Sequence, residues 1–205
     1  MTVVAISAAY GAGGGTVGPA LAARLGVPFV DRALALRVAG ALDVSVDEAI
    51  SQWDEPPERS FLERLLSNFL GVDTGAPVGP PPETVSPDDF RRAAEAAVLE
   101  QAATGEGVIL GRGAVAALRD HPYVLRVRLS GPAELRLARA REAGGLDEAD
   151  ATAAMRRIDR FHADYLREFY DVDIDDPSLY HVALDSTALG ADACVDLLET
   201  AARAL

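Results

Sequence analysis

The chain has 205 residues, 49 % hydrophobic and 25 % charged, enough for one globular domain with a full core. A net charge of −13 excludes a general nucleic-acid binder, because binding to a phosphate backbone runs on clustered positive charge. No run approaches the roughly 18 apolar residues that cross a bilayer, and the opening "MTVVAIS" lacks the basic flank and length of a secretory signal, so the cytoplasm is the expected address and no membrane partner is expected.

In chain order, "VVAIS" (3–7) reads as a short buried strand, and "TVGPALAARLG" (16–26) as a helix with Val17, Leu21 and Leu25 on one face and Gly26 at its end. "VPFV" (27–30) is a second short strand. Helical spacing resumes at 34–41, and Ser45 with Glu48 has the pattern of a capping box. "ERSFLERLLSNFL" carries a broad apolar stripe from Phe61 to Leu70, followed by a Pro/Gly-rich loop at 71–87. Ser86 and Pro87 open a helix that runs to about Thr104. "GVIL" and "YVLRVRL" are strands separated by a helical turn with Val115 and Leu118. Helices from Pro132 to Ala143 and from about Asp147 to Tyr170, the strand "YHVAL", and an amphipathic helix from Leu189 to Leu205 complete the chain. Cys194, the single cysteine, is expected in the core face of that last helix. Short apolar strands alternating with helices predict a parallel sheet covered on both faces.

"AYGAGGGTVG" (9–18) lies where the first strand feeds the first helix. Backbone N–H groups and the positive helix end converge there, which makes a cradle for phosphate. The same glycines also fit a plain tight turn between strand and helix. G-x-G-x-x-G falls on Gly13, Gly15 and Gly18, with Asp31 just past the second strand. The chain contains no lysine, so its 19 strongly basic side chains are all arginines and any fixed positive charge for a phosphate is a guanidinium.

Together, "VVAISAAYGAGGGTVGPALAARLGVPFVDRALALRVA", "GVILGRGAVAALRDHPYVLRVRL" and "YHVALDSTALG" resemble the cytidylate-kinase-like proteins, a divergent branch of the P-loop nucleoside-monophosphate kinases. The resemblance runs in pieces from residue 3 to about 198, with 51–86 poorly matched. It implies a three-layer α/β/α fold of the P-loop NTPase type, in which a five-stranded parallel sheet carries a helical monophosphate-binding flap and an arginine-bearing lid. On that pattern one domain spans 1–205, with its core at 1–30, 105–132 and 178–205, the flap at 31–104 and the lid at 133–177. It implies transfer of the γ-phosphoryl of ATP, with Mg²⁺, to a nucleoside monophosphate such as CMP or dCMP.

The resemblance also assigns roles by position. Gly11, Ala12, Gly13, Gly14, Gly15 and Thr16 would form the phosphate loop; Asp31, Arg37 and Arg112 would contact the acceptor; Arg157 and Arg160 in "RRIDR" would act from the lid; Asp185, Ser186 and Thr187 would lie by the base site. Arg136 and Arg139 are weaker candidates for the lid, since helical arginines more often form surface salt bridges with acids such as Asp159. The chain departs from the kinase pattern G-x-x-x-x-G-K-[ST] at Ala8 for the first glycine, Gly14 for the lysine and Gly15 for the magnesium-binding hydroxyl. Leu110 replaces an aspartate that helps hold the metal, and Thr16 is the nearest hydroxyl left as a metal ligand. Three readings therefore stand: a phosphotransferase using arginines in place of the lysine, a nucleotide-binding or regulatory protein without turnover, and an interaction module that self-associates through the helix at 58–70.

Overall fold

The computed structural model describes residues 2–30, 87–111, 113–144 and 147–205. The chain divides into one unit of Met1–Asp31 with Val98–Leu205, and a second of Arg32–Ala97. The helix at 34–41, the capping box at Ser45, the stripe at 61–70, the loop at 71–87, and Asp31, Arg37 and Arg112 all lie outside the described residues.

The first unit is organised by β1 (Thr2–Ala8), whose unbroken apolar run suits a strand covered on both faces. It lies at the centre of an all-parallel sheet with β2 (Phe29–Val30), β3 (Glu106–Leu110), β4 (Val124–Ser130) and β5 (Val182–Asp185) in the order β2-β3-β1-β4-β5. Val4 is in register with Val108 on one side and Leu125 on the other. The expected α/β sheet is the one observed. Among the described residues β2 pairs with β3 at Phe29–Val108 and Val30–Ile109.

Side chains alternate across a strand, so Val4 and Ile6 point to the face covered by α1 (Gly14–Leu25) and the C-terminal helix, where they pack with Leu21 and Leu198. Val3, Ala5 and Ile109 serve the opposite face. Between β2 and β4 come α2 (Pro87–Ala103) and α3 (Ala114–Ala117), and α3 packs on β1. Helices α4 (Ala133–Gly144) and α5 (Glu148–Tyr170) follow β4 and pack together; Asp147 caps α5 by accepting the Asp150 N–H at 2.9 Å.

Two of the differences from the expected boundaries have a cause in the backbone. Helix α1 starts at Gly14 rather than at residue 16, because Gly13 takes the left-handed conformation (φ 75°) and its carbonyl already accepts the Thr16 and Val17 N–H groups. The last helix is split into α6 (Ser186–Leu189) and α7 (Ala191–Ala204) at Gly190, whose φ of 79° and ψ of 169° interrupt the helix. Cys194 sits buried on α7 as expected, and burial pushes its thiol pKa up. Among the described residues no helix is long and apolar enough to cross a membrane.

Adjacent residues on α7 test this packing. Leu198 is 0 % exposed and Leu197 48 %. Leu198→Ala is expected to cost about 3 kcal/mol in urea unfolding, and Leu197→Ala less than about 0.5 kcal/mol.

Candidate functional site

The chain runs from β1 to β2 on one side of the sheet and from β3 to β4 on the other, so the strand order reverses beside β1, and open α/β sheets collect ligands outside the C-terminal strand ends at such a point. The glycine loop sits there. Ala9 and Ala12 close it, with Ala9 donating to the Leu129 carbonyl at 3.0 Å and Ala12 to the Ala9 carbonyl at 3.0 Å. The N–H groups of Gly11, Gly13, Gly14 and Gly15 find no hydrogen-bond partner among the described residues. They belong to the loop and to the first turn of α1, where helices carry unsatisfied donors and partial positive charge.

The loop is held from three directions. Asp159 on α5 accepts the Tyr10 N–H at 2.9 Å, while Arg136 on α4 donates to the Tyr10 carbonyl at 2.7 Å. These two side chains pair with each other at 2.8 Å, and Arg136 also donates to the Gly131 carbonyl at 3.1 Å. From the other side Ser186, 1 % exposed, donates to the Ala12 carbonyl at 2.7 Å and the Ser130 carbonyl at 3.1 Å. A Cβ at Gly11 would strike the Arg136 carbonyl, and Gly11 has a φ of 75°. Arg136 is therefore no exposed lid cation: its side chain is 11 % exposed and spent on the loop. Its pairing with Asp159 is not the surface salt bridge expected, because α4 and α5 pack it against the loop.

Asp185, Ser186 and Thr187 stand together at the start of α6, the side from which Ser186 clasps the loop. Asp185 accepts the Thr187 and Ala188 N–H groups and the Thr187 hydroxyl, capping α6. The Thr187 hydroxyl, then the backbone amides and Arg139, hold the Asp185 carboxyl below the usual carboxylate range against the opposing effect of desolvation. Arg139 reaches between the two loops: its Nη1 lies 3.9 Å from where a Gly13 Cβ would be, and its Nη2 donates to the Thr187 carbonyl at 3.4 Å. Sequence reasoning ranked Arg139 low; its place one turn along α4 from Arg136 was the available signal.

The missing lysine has a steric counterpart. A Cβ at Gly14 would stand 2.6 Å from the Ala8 Cβ and 3.0 Å from Leu110 Cδ1. The space a side chain would need at that position is occupied by hydrocarbon from Ala8 and Leu110, two of the other positions that depart from the kinase pattern. Thr16 is exposed on the first turn of α1, and none of the described residues lies within 4 Å of where a Cβ at Gly15 would be.

On α5, Arg156, Arg157 and Arg160 are exposed and have no hydrogen-bond or ion-pair partner among the described residues. Helical geometry of about 100° per residue puts Arg156 and Arg160 about 60° and 100° round from Asp159, and Arg157 about 160° away. Arg160 is thus grouped with Arg156 beside the loop contact, and Arg157 points elsewhere. Gly113, next to Arg112, lies under aromatic side chains of α5: a Cβ there would be 2.9 Å from Tyr170 and 3.0 Å from Tyr165.

Two predictions follow from these contacts. Gly14→Ala is expected to lower the melting temperature although alanine favours helices, and adding Ala8→Gly should restore most of the loss, giving a coupling above about 1 kcal/mol in a double-mutant cycle. Because the Asp185 pKa is lowered on folding, its contribution is full above the ordinary aspartate value and fades as pH falls through the folded one; stability of the parent chain should therefore drop more steeply than that of Asp185→Asn below about pH 4, measured by denaturation across pH.

The chain matches the family model of the cytidylate kinase-like family over residues 3–188. No curated protein sequence is significantly similar to it. Among solved structures it resembles an uncharacterised protein from Eubacterium ventriosum (TM-score 0.69, 17 % identity, all of both chains covered). It also resembles the shikimate kinase of Acinetobacter baumannii (0.54, 17 %, 98 % of this chain and 93 % of that one) and a gluconokinase from Sinorhizobium meliloti (0.51, 18 %, 99 % and 94 %). At such identities these likenesses speak for the kinase-like P-loop fold, and the length of the family match settles the membership: the chain belongs to the cytidylate kinase-like family.

Proposed function

We propose that the protein binds ATP at the glycine loop and transfers its γ-phosphoryl group to a nucleoside monophosphate, with CMP or dCMP favoured by the family. The observation that carries this reading is the set of N–H groups at Gly11, Gly13, Gly14 and Gly15 without a partner among the described residues, in the loop and first turn of α1, with the Arg139 guanidinium beside Gly13. Such a cradle binds phosphate oxygens through the main chain, and a guanidinium grips them by paired hydrogen bonds. Gly15 adds support: none of the described residues requires a glycine there, yet its bare backbone leaves room for a ligand and costs helix stability.

In this reading an oxygen of the acceptor phosphate attacks the γ-phosphorus while the bond to the bridging β–γ oxygen breaks, giving a nucleoside diphosphate and ADP. Such transfer is largely a matter of positioning and charge stabilisation. Arg139 and the lid residues Arg160 and Arg156 supply positive charge around the polyphosphate. Arg157 stands further round α5. Asp31, Arg37 and Arg112 hold the acceptor by analogy with the family. Ser186 and Asp185 keep the loop in shape, and Thr187 offers its carbonyl to Arg139.

Kinases of this kind generally use ATP with Mg²⁺. The residues here do not fit a protein-held metal: Gly15 has no hydroxyl, Leu110 no carboxylate, and Thr16 is exposed one position later. Among the described residues no three His, Cys, Asp or Glu side chains gather as a metal site. A second reading, nucleotide binding without turnover, is favoured by the hydrocarbon of Ala8 and Leu110 at the position of the missing lysine.

Incubating the protein with ATP and each nucleoside monophosphate and separating the products distinguishes the two. Turnover is expected to yield CDP or dCDP and to fall at least about tenfold in Arg139→Gln and Arg112→Ala. ATP binding without product supports the second reading, and absence of ATP binding overturns both.

A further inference from the structure

The replacements at Ala8, Gly14 and Leu110 form one packed contact rather than three independent losses. The Ala8 Cβ is fixed to the main chain at the end of β1, so its 2.6 Å approach to a notional Gly14 Cβ cannot be relieved by a rotamer change. Leu110 ends β3 and brings one methyl group to 3.0 Å and the other to 3.7 Å of the same point. In a lysine-bearing loop this region serves charge: the lysine reaches the β- and γ-phosphates and the following hydroxyl takes the magnesium ion. Here it is apolar. A divalent cation prefers hard oxygen ligands and sheds its water reluctantly, and neither Leu110 nor Gly15 offers it one.

The charge lost at that corner is available elsewhere in the form of guanidinium groups. Arg139 lies beside Gly13 with a single long hydrogen bond to the Thr187 carbonyl, and Arg156 and Arg160 project from α5 with no partner among the described residues. A guanidinium stays protonated and bonds phosphate oxygens directly, which is the role a bridging metal ion otherwise plays in neutralising a polyphosphate. Magnesium would cover the very oxygens these groups are free to take.

Resting on the nucleotide-binding reading above, we propose that the glycine loop takes the polyphosphate of a nucleoside triphosphate in its metal-free form. Positive charge comes from arginine side chains, and the metal-binding corner of the loop is replaced by the Ala8–Gly14–Leu110 contact. The ligand is thus a free triphosphate anion, bound by main-chain amides and guanidinium groups.

Calorimetric titration of the full chain with ATP, once in EDTA and once with excess MgCl2, tests the proposal. The expected result is a dissociation constant in EDTA equal to or lower than that with magnesium, and a loss of at least about tenfold in EDTA for Arg139→Gln. Binding that requires magnesium, or that weakens about tenfold or more in EDTA, overturns the proposal while leaving the nucleotide-binding reading intact. No binding in either buffer overturns both. The combined variant Ala8→Gly, Gly14→Lys, Gly15→Thr, Leu110→Asp is expected to gain a magnesium dependence the parent lacks; a folded variant that binds ATP equally with and without magnesium counts against the proposal, and a variant that does not fold leaves the decision with the parent chain.

Discussion

The head of the sheet is governed by how closely the first turn of α1 approaches the ends of β1 and β3. With Gly14 bare, Ala8 and Leu110 fill the gap, and the N–H groups of Gly11, Gly13, Gly14 and Gly15 are left without a partner among the described residues. A side chain at position 14 would push helix and strands apart. The same contact explains why a loop lacking lysine keeps the path of a phosphate loop: its shape is set by packing beneath it and by carbonyl contacts around it, neither of which needs a cation at position 14.

Tyr10 shows how the surrounding elements complete this support. Both of its backbone polar groups are taken, the N–H by Asp159 and the carbonyl by Arg136, and these two side chains neutralise one another. A partly buried ion pair contributes little by itself when its desolvation is counted, but each member here also satisfies main-chain groups that would otherwise lie unpaired. Ser186 does the same for Ala12 from the opposite side. Elements expected to act as a lid and as a base site are thereby joined to the phosphate loop, so local changes in α4, α5 or α6 bear on the same few amides.

Much of this was legible in the sequence, and the remainder was not for reasons of distance. Apolar runs such as "VVAIS" announced the strands, since residues buried on both faces leave little alternative, and the glycine run announced the loop. The departures at Ala8, Gly14, Gly15 and Leu110 were also visible, one at a time. That three of them touch was not, because Ala8 and Leu110 meet only through the pairing of β1 with β3. Likewise Asp159 and Tyr10 are 149 positions apart, and periodicity within one helix carries no information about such a partner. The split of the last helix was masked because Leu189 fits the apolar pattern on either side of Gly190.

The contact between positions 8 and 14 also bears on how such a loop can change over generations. A lysine appearing at 14 while alanine remains at 8 meets a wall of backbone-anchored carbon, whereas a glycine at 8 disturbs little beforehand. Only one order of substitution is open: the alanine at 8 has to give way before a side chain at 14 can be accommodated, so the two positions change as a pair in a fixed sequence.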